Sequence, residues 1–182
     1  MPVWGEFMHI LIVGAKGVGK STLISRILDN LNRPVFGFTT KKEDEFYDEE
    51  RGSPVYIYDV RMPKVRTDEN IVGFCKDRHS SPRKDAFDRY ALKLREIVPN
   101  GHIVVMDEIG FMEASSDEFC DAVISLLDGD SHVIAAVKDK DIPFLKKVRA
   151  HKNCRCFYIN SENRDYLYDK IMDFIDHDWK IR

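Results

Sequence analysis

The stretch Gly14-Ala15-Lys16-Gly17-Val18-Gly19-Lys20-Ser21 stands between an apolar run and a segment with helical spacing. It matches G-x-x-x-x-G-K-[ST], the P-loop pattern, whose glycine-rich backbone turns its N–H groups around nucleotide phosphates. In such a loop the lysine, here Lys20, reaches the β- and γ-phosphates, and the next hydroxyl, here Ser21, lies on Mg²⁺. We therefore predict a phosphate site from Gly14 to Thr22, with Ser21 as a metal ligand.

The sequence on either side favours this interpretation over an ordinary glycine-rich turn. Ile10-Leu11-Ile12-Val13 is a branched apolar run, which is typical of a buried parallel strand. After the loop, apolar residues recur at the spacing of one helix face, at Leu23, Ile24, Ile27, Leu28 and Leu31. Strand, loop and helix thus follow in the order that lets the helix dipole help hold the phosphates.

The rest of the chain alternates predicted strands with predicted helices. Further strands are expected at Val35–Phe38, Ile103–Glu108, Val133–Val137 and Cys156–Ile159. Helix starts are expected at Pro82, at a capping box of Ser115 and Glu118, and at Pro143. The second of the predicted helices should end at Pro99-Asn100-Gly101. This alternation predicts an α/β fold with a doubly wound, mostly parallel sheet, helices on both faces, and ligands at the carboxyl ends of the strands.

Residues 41–75 are the least regular segment of the sequence. Phe46-Tyr47 and Val55–Tyr58 flank a polar turn, which predicts a β-hairpin with a longer loop. An exposed polar loop is expected from Arg61 to Asn70, and a further strand at Ile71–Cys75. Because no clean boundary is visible, we expect one domain over residues 1–182 with this segment as a hairpin insertion.

Composition excludes several classes of protein. The chain has 182 residues, of which 43% are hydrophobic and 32% charged, as in an ordinary globular domain. Its net charge of -3 gives no global basic field for nucleic acid, and its apolar runs are too short to cross a bilayer. Residues 1–8 do not resemble a secretory signal. We expect a cytoplasmic monomer with reduced thiols and no nucleic-acid or membrane partner.

A second candidate feature is the acidic pair Asp107-Glu108, which closes the apolar run Ile103–Met106. In P-loop proteins an acidic residue at a strand end holds Mg²⁺, often through water, and a neighbouring acid can polarise the attacking water. We predict that Asp107 is a metal ligand and that Glu108 activates water. Together with Lys20 they form the predicted catalytic set.

Other polar residues have two open interpretations. Thr39-Thr40 could approach the γ-phosphate or Mg²⁺, or could form a polar turn. Lys16 and Lys138 could add positive charge at the phosphates or face solvent. One arginine of the irregular segment could act as an arginine finger, although solvated charge is favoured for each of Arg51, Arg61 and Arg66.

Four motifs of this chain occur together in a known family. They are the loop running into Thr22-Leu23-Ile24, the stretch Gly37-Phe38-Thr39-Thr40, the stretch Asp107-Glu108-Ile109-Gly110-Phe111-Met112-Glu113, and Glu162-Asn163-Arg164. The third stretch is the most specific of them. Over nearly its whole length the chain resembles the cancer-related nucleoside-triphosphatase family, the THEP-type P-loop NTPases.

The resemblance implies a RecA-like core and a Mg²⁺-dependent hydrolase that converts ATP, GTP or other nucleoside triphosphates to diphosphate and phosphate. By its motifs it implies that Lys20 and Ser21 bind phosphate and metal, and that Asp107 and Glu108 serve metal and water. It also implies that Asn163 and Arg164, after the last strand, lie where P-loop folds commonly approach the base.

The chain departs from the family pattern at Phe111, where the family has lysine, and at Lys16, where it often has proline. Lys41 and Lys42 also stand where the family hairpin usually carries arginines. These departures leave nucleotide preference open and are compatible with slow turnover. The alternative functions are a nucleotide or nucleoside kinase with the same P-loop, and a nucleotide-dependent switch protein. Glu108 beside Asp107 favours water as the acceptor.

Overall fold

A mixed β-sheet forms the centre of the computed structural model, which describes residues 9–97 and 102–179. Within those ranges the sheet has eight strands in the order β5-β4-β3-β2-β6-β7-β1-β8. The strands are β1 (His9–Gly14), β2 (Val35–Lys42), β3 (Ser53–Asp59), β4 (Ile71–Lys76), β5 (His79–Pro82), β6 (Ile103–Ile109), β7 (His132–Lys138) and β8 (Cys154–Tyr158). Strands β2, β6, β7, β1 and β8 pair in parallel, whereas β3, β4 and β5 pair antiparallel.

Helices cover both faces of the parallel part of the sheet. They are α1 (Lys20–Leu31), α2 (Lys84–Arg95), α3 (Asp117–Asp128), α4 (Pro143–Arg149) and α5 (Arg164–Phe174). Ile10 and Ile12 pack with residues of α1 and α5, whereas Leu11 and Val13 pack with residues of α2, α3 and α4. Because alternate residues of a strand point to opposite faces, β1 is buried on both sides. The predicted doubly wound α/β fold is confirmed.

The strand order decides which loops can meet. β7 lies between β1, which precedes the P-loop, and β6, which carries the acidic pair. This is the order of a RecA-like core, with the antiparallel strands added at the β2 edge. Since parallel strands end at the same edge of the sheet, the loops after β1, β6 and β7 lie side by side.

The predicted hairpin is wrong in its first strand. Phe46 belongs to a short 3-10 turn, Asp44–Phe46, and not to a strand. Instead β2 continues to Lys42 and pairs antiparallel with β3, so that Thr40 faces Ile57 in the register. The sequence did not predict this continuation, because the end of β2 is polar and carries no apolar strand pattern. The division of the chain into one domain with an insertion stays a prediction.

Two predicted helix starts are also wrong. Pro82 is the last residue of the edge strand β5, and α2 begins at Lys84. The N-cap of α3 is Ser116, whose side chain accepts a hydrogen bond from the Phe119 amide, whereas the Ser115 hydroxyl donates to the Met112 carbonyl. Proline is tolerated at a sheet edge because an edge strand leaves some amides unpaired.

The structure describes the cysteines as free thiols, as predicted, at Cys75, Cys120, Cys154 and Cys156. No helix in the described ranges combines the length and the apolar character that a membrane span requires. The predicted helix end at Pro99-Asn100-Gly101 and the segment 1–8 lie outside the described residues.

Candidate active site

The P-loop joins β1 to α1, as the sequence predicts. Gly17 and Gly19 have φ angles of 80° and 103°, in the left-handed region that suits glycine. Gly19 is the N-cap of α1, so the helix begins directly at Lys20. At Gly14 an added Cβ would lie 2.7 Å from the Ile159 carbonyl oxygen, because β1 and the segment after β8 approach closely there. The loop therefore depends on glycine for its turn and for its packing.

Lys20 is buried, with 3% of its surface exposed. Its ammonium donates to the Gly14 carbonyl at 2.9 Å and to the Ala15 carbonyl at 2.7 Å. The same Nζ lies 3.0 Å from Glu108 Oε2. The lysine thus contacts the backbone of the P-loop and also a side chain at the end of β6.

Ser21 and Asp107 form a second contact between α1 and the end of β6. The Ser21 hydroxyl donates to Asp107 Oδ1 at 2.9 Å, although the two residues are far apart in the sequence. Burial raises the pKa of the Asp107 carboxyl above its ordinary value, while the Ser21 hydrogen bond opposes the rise and the Glu108 charge adds to it. A hydroxyl and a carboxylate, both hard oxygen donors, therefore stand together at the start of α1.

Glu108 lies between two lysines. Lys138 Nζ is 3.0 Å from Oε1, while Lys20 holds Oε2 at the same distance. Burial lowers the pKa of the Lys138 ammonium, but the charges of Glu108 and Glu113 outweigh this and leave that pKa above its usual value. Lys138, which the sequence left open, is therefore part of the site.

An irregularity in β6 brings both acids to the same place. Asp107 pairs with Ala136 of β7, but the next pairing joins Ile109 to Val137, so Glu108 is bulged out of the ladder. In a regular strand, consecutive side chains point to opposite faces. The bulge re-aims Glu108, so that Asp107 reaches Ser21 and Glu108 reaches Lys20.

Thr39 and Thr40 lie beside the acidic pair rather than in a turn. Thr39 is the register partner of Asp107 across β2 and β6. The Glu108 backbone N–H donates to Thr40 Oγ1 at 3.4 Å. Thr40 therefore supports the bulge.

Glu113 is a buried carboxyl near the site to which the sequence gave no separate role. It is 6% exposed, and the Gly110 amide donates to its Oε2 at 2.8 Å. Burial raises the pKa of Glu113 to about 7, although the amide and the charge of Lys138 oppose the rise. Its place at the end of the stretch that begins with Asp107 was the only signal. The carboxylate fixes the turn after β6.

The loop after β8 approaches the P-loop through Arg164. The stem of Arg164 covers Gly19, where an added Cβ would lie 3.0 Å from its Cδ. Thr22 and Arg26 of α1 line a small cavity of about 190 Å³ with this arginine. The side-chain amide of Asn163 instead donates to the Tyr158 carbonyl at 2.9 Å, within its own loop. Only Arg164 of the predicted pair is turned toward the P-loop.

The three arginines of the irregular segment have acidic partners close to them in the fold. Each guanidinium also lies over an aromatic ring, at 4.4 to 5.0 Å from the ring centroid. The ion pairs are Arg51 with Asp48, Arg61 with Asp59, and Arg66 with Glu43 and Glu45. These contacts favour the solvated-charge interpretation.

A second and larger cavity, of about 700 Å³, opens beside the P-loop. Ala15 and Lys16 form one side of it, the turn at 78–80 a second, and residues 138–142 a third. Phe111 completes the lining. Lys16 thus faces this cavity, with its side chain exposed.

Relatives of this chain are known. The nucleoside-triphosphatase THEP1 of Thermotoga maritima is 28% identical over an alignment of 182 positions, which covers 92% of this chain and 95% of that protein. The cancer-related nucleoside-triphosphatase of Homo sapiens is 27% identical over an alignment of 184 positions, which covers 90% of this chain and 94% of that protein. Both alignments span nearly the full length of both partners.

The fold is also similar to solved structures. The crystal structure of THEP1 from Aquifex aeolicus has a TM-score of 0.66 at 24% identity, and covers 93% of this chain and 99% of that one. The solution structure of a human cancer-related nucleoside triphosphatase has a TM-score of 0.65 at 24% identity. That match covers 92% of this chain and 96% of the human one. The family model described as NTPase matches residues 9–172, which include the P-loop and the acidic pair. The chain belongs to this NTPase family.

Proposed function

We propose that this chain hydrolyses nucleoside triphosphates to diphosphate and phosphate, with Lys20, Ser21, Asp107 and Glu108 as the reacting centre. The observation that carries the proposal is the pair of contacts between α1 and β6. Ser21 Oγ lies 2.9 Å from Asp107 Oδ1, and Lys20 Nζ lies 3.0 Å from Glu108 Oε2. The start of α1 is thereby in contact with both acids at the end of β6.

The residues present fit Mg²⁺. Mg²⁺ binds proteins through one or two oxygen ligands and takes further ligands from substrate phosphates and water. Ser21 and Asp107 supply a hydroxyl and a carboxylate in direct contact. We assign the ion to these two residues. When bound, it would neutralise charge on the phosphates.

Lys20 binds the phosphates in this proposal. In the structure its ammonium is satisfied by the Gly14 and Ala15 carbonyls and by Glu108. The β- and γ-phosphates of a substrate would compete with Glu108 for the same cation, because they carry more negative charge. Substrate binding would therefore loosen the contact between Lys20 and Glu108.

Glu108 then acts on water. Its carboxylate accepts a proton from a water molecule, whose oxygen forms a bond to the γ-phosphorus. The bond between that phosphorus and the β–γ bridging oxygen breaks, and its electrons stay with the diphosphate. Lys138 remains 3.0 Å from Oε1 and keeps the carboxylate oriented. Inorganic phosphate and nucleoside diphosphate are the products.

The base is assigned to the side of the loop where Arg164 lies. The cavity of about 190 Å³ lined by Thr22, Arg26 and Arg164 is small and polar. A small site contacts few edges of a base, so we propose broad nucleotide use. A cytoplasmic, monomeric protein with one domain is also proposed.

One experiment tests the proposed reaction. The purified chain is incubated with Mg²⁺ and each of ATP, GTP, CTP and UTP, with and without nucleosides and nucleoside monophosphates. Free phosphate and phosphorylated acceptor are followed together. Phosphate release without an acceptor is the expected result. Phosphoryl transfer that occurs only when an acceptor is present would identify a kinase, and tight binding with neither product would identify a switch protein.

A further inference from the structure

The cavity of about 700 Å³ beside the P-loop is distinct from the assigned base site. It is bordered by Ala15 and Lys16, on the first half of the loop, whereas Thr22 and Arg164 border the smaller cavity at its second half. Its volume is that of a small-molecule site. Its lining shares no residue with that of the smaller cavity.

Positive charge converges on this cavity from three separate elements. Lys16 comes from the P-loop, Arg78 from the turn between β4 and β5, and Lys140 from the segment after β7. Within the ranges that the structure describes, the side chains of Arg78 and Lys140 have no hydrogen bond or ion pair. Asp44, the acid that interacts with Lys16, is already held by Lys42 at 2.7 Å.

The acidic residues of the lining do not balance these cations. Asp141 is part of the lining, and it pairs at 2.5 Å with Lys146, which lies outside the lining. Among the residues that the structure describes, Asp139 is the other acid of the lining. The remaining lysine, Lys138, is already balanced by Glu108 at 3.0 Å. A surplus of positive charge is left, which suits a phosphate group.

Phe111 supplies a planar apolar surface in the same lining. Its side chain is exposed, with a relative accessibility of 54%. The preceding Gly110 is packed under the stem of Lys138, since an added Cβ would lie 2.8 Å from Lys138 Cδ. Phe111 thus projects from a fixed turn, where a flat ring can stack on it.

The turn that carries Arg78 is also defined by the fold. Asp77 and Arg78 have φ angles of 48° and 68°, as in the two-residue turns that join antiparallel strands. Lys76 and His79 pair across this turn. Arg78 is therefore held at the tip of a hairpin that faces the P-loop across the cavity.

We infer that this cavity binds a second ligand that carries both a phosphate and a planar ring, namely a nucleoside monophosphate. Its phosphate lies among Arg78, Lys140 and Lys16, and its ring stacks on Phe111. The inference rests on the proposed function only in that a triphosphate occupies the P-loop at the same time. Because Lys138 lines the cavity and also holds Glu108, the second ligand lies next to the reacting centre.

The test is a titration of the whole chain with its P-loop already filled. A non-hydrolysable triphosphate analogue with Mg²⁺ is first bound to saturation, and that step is measured by calorimetry. Each of AMP, GMP, CMP and UMP is then titrated in. We expect one further saturable site per chain for at least one of them. Adenosine alone and inorganic phosphate alone are expected to bind more weakly, because each lacks half of the contacts.

Two variants locate the site. Arg78→Ala should weaken monophosphate binding about tenfold, because it removes a charge-assisted contact. Phe111→Ala should weaken it at least about fivefold, because it removes a stacking surface. Lys152→Ala is the matched control, since it removes one positive charge from the exposed loop before β8. It should leave the affinity unchanged.

Two outcomes overturn the inference. One is the absence of saturable monophosphate binding when the analogue is bound with its normal affinity. The other is unchanged monophosphate affinity in both Arg78→Ala and Phe111→Ala. Thermal unfolding and analogue affinity confirm that each variant is folded, and Lys140→Ala replaces a variant that is not. Failure of the analogue to bind at all would count against the proposed nucleotide site, which separates the two proposals.

Discussion

Lys138 Nζ lies 3.0 Å from Glu108 Oε1, on the carboxylate oxygen that Lys20 does not contact. The two lysines come from the end of β7 and the start of α1, and neither is close to Glu108 in the sequence. In the proposed mechanism the substrate phosphates bind Lys20, and Lys138 stays with the carboxylate. It is therefore a positioning residue for the proposed base.

Replacement of Lys138 tests this role. Lys138→Met should lower kcat by about 10- to 100-fold with little change in KM, because a charge-assisted hydrogen bond of about 1.5–3 kcal/mol is lost from the base and not from the substrate. Steady-state phosphate release measures both constants. Lys138→Arg should recover part of kcat, and Lys152→Met should behave as wild type. A wild-type kcat in Lys138→Met would remove the lysine from the mechanism.

Replacement of Glu108 separates chemistry from binding. Glu108→Gln keeps an oxygen for one lysine but cannot accept a proton from water. We expect analogue affinity near that of the wild type and a loss of turnover of roughly 10²–10⁴-fold. Calorimetry and phosphate release are measured on the same preparation. If turnover stays near wild type, another group activates the water.

Replacement of Lys20 should affect binding and turnover together. Lys20→Ala removes the cation that we propose binds the phosphates, and it also leaves Glu108 with Lys138 alone. We expect analogue affinity to fall at least about tenfold, together with most of the turnover. Lys152→Ala controls for the loss of one positive charge, and circular dichroism confirms the fold. Unchanged affinity for the analogue would argue against the phosphate role of Lys20.

The assigned metal ligands predict a dependence on Mg²⁺ concentration. Ser21→Ala and Asp107→Asn should each raise the Mg²⁺ concentration for half-maximal phosphate release by about tenfold or more, since metal sites commonly respond by 10–100-fold even to changes next to a ligand. Ser125→Ala, on the exposed surface of α3, is the control. A Mg²⁺ requirement identical to wild type in both variants would contradict the assignment.

Glu113 predicts a pH dependence of stability. Burial raises the pKa of Glu113 to about 7, above the ordinary value of 4.5, so the folded state binds this proton more tightly than the unfolded state. The stabilisation of the folded state by this group is therefore fully present below about pH 4.5, and it is lost as the pH rises through about 7. The free energy of unfolding of the wild type should therefore be higher at about pH 5 than at about pH 8, by on the order of 2 kcal/mol from this group.

Glu113→Gln tests that contribution, because glutamine keeps an oxygen for the Gly110 amide but does not titrate. The free energy of unfolding is measured by urea denaturation at both pH values for the wild type and the variant. The stability difference between the two pH values should shrink by about the stated amount in the variant. An equal difference in both proteins would show that Glu113 is ionised when buried.

The P-loop, the strand before it and the helix after it could be predicted from the sequence because their signals are local. A buried strand reads as a continuous apolar run, and a helix face recurs at i, i+3 and i+4. The glycine requirement at Gly17 and Gly19 is likewise a property of single residues. The structure agrees on each of these elements.

Two of the errors occur where strand pairing is non-local, and the third is a helix cap displaced by one residue. β2 ends in Thr39–Lys42, which carries no apolar pattern, yet it is a strand because β3 pairs with it. β5 is a polar edge strand that depends on β4 for its hydrogen bonds. Ser116 rather than Ser115 caps α3 because the 3-10 turn Glu113–Ser115 comes first. Local propensity fixes neither of the two strands.

The sequence by itself determined the P-loop, the acidic pair and the alternation of strands and helices, since each depends on residue types at fixed spacing. Only the tertiary structure decided that Glu108 is bulged from β6 and lies between Lys20 and Lys138. The reason is that periodicity reports which face of an element is buried but not which element is its neighbour. The strand order places the end of β7 beside the end of β6. Lys138 is thereby brought to the Glu108 carboxylate.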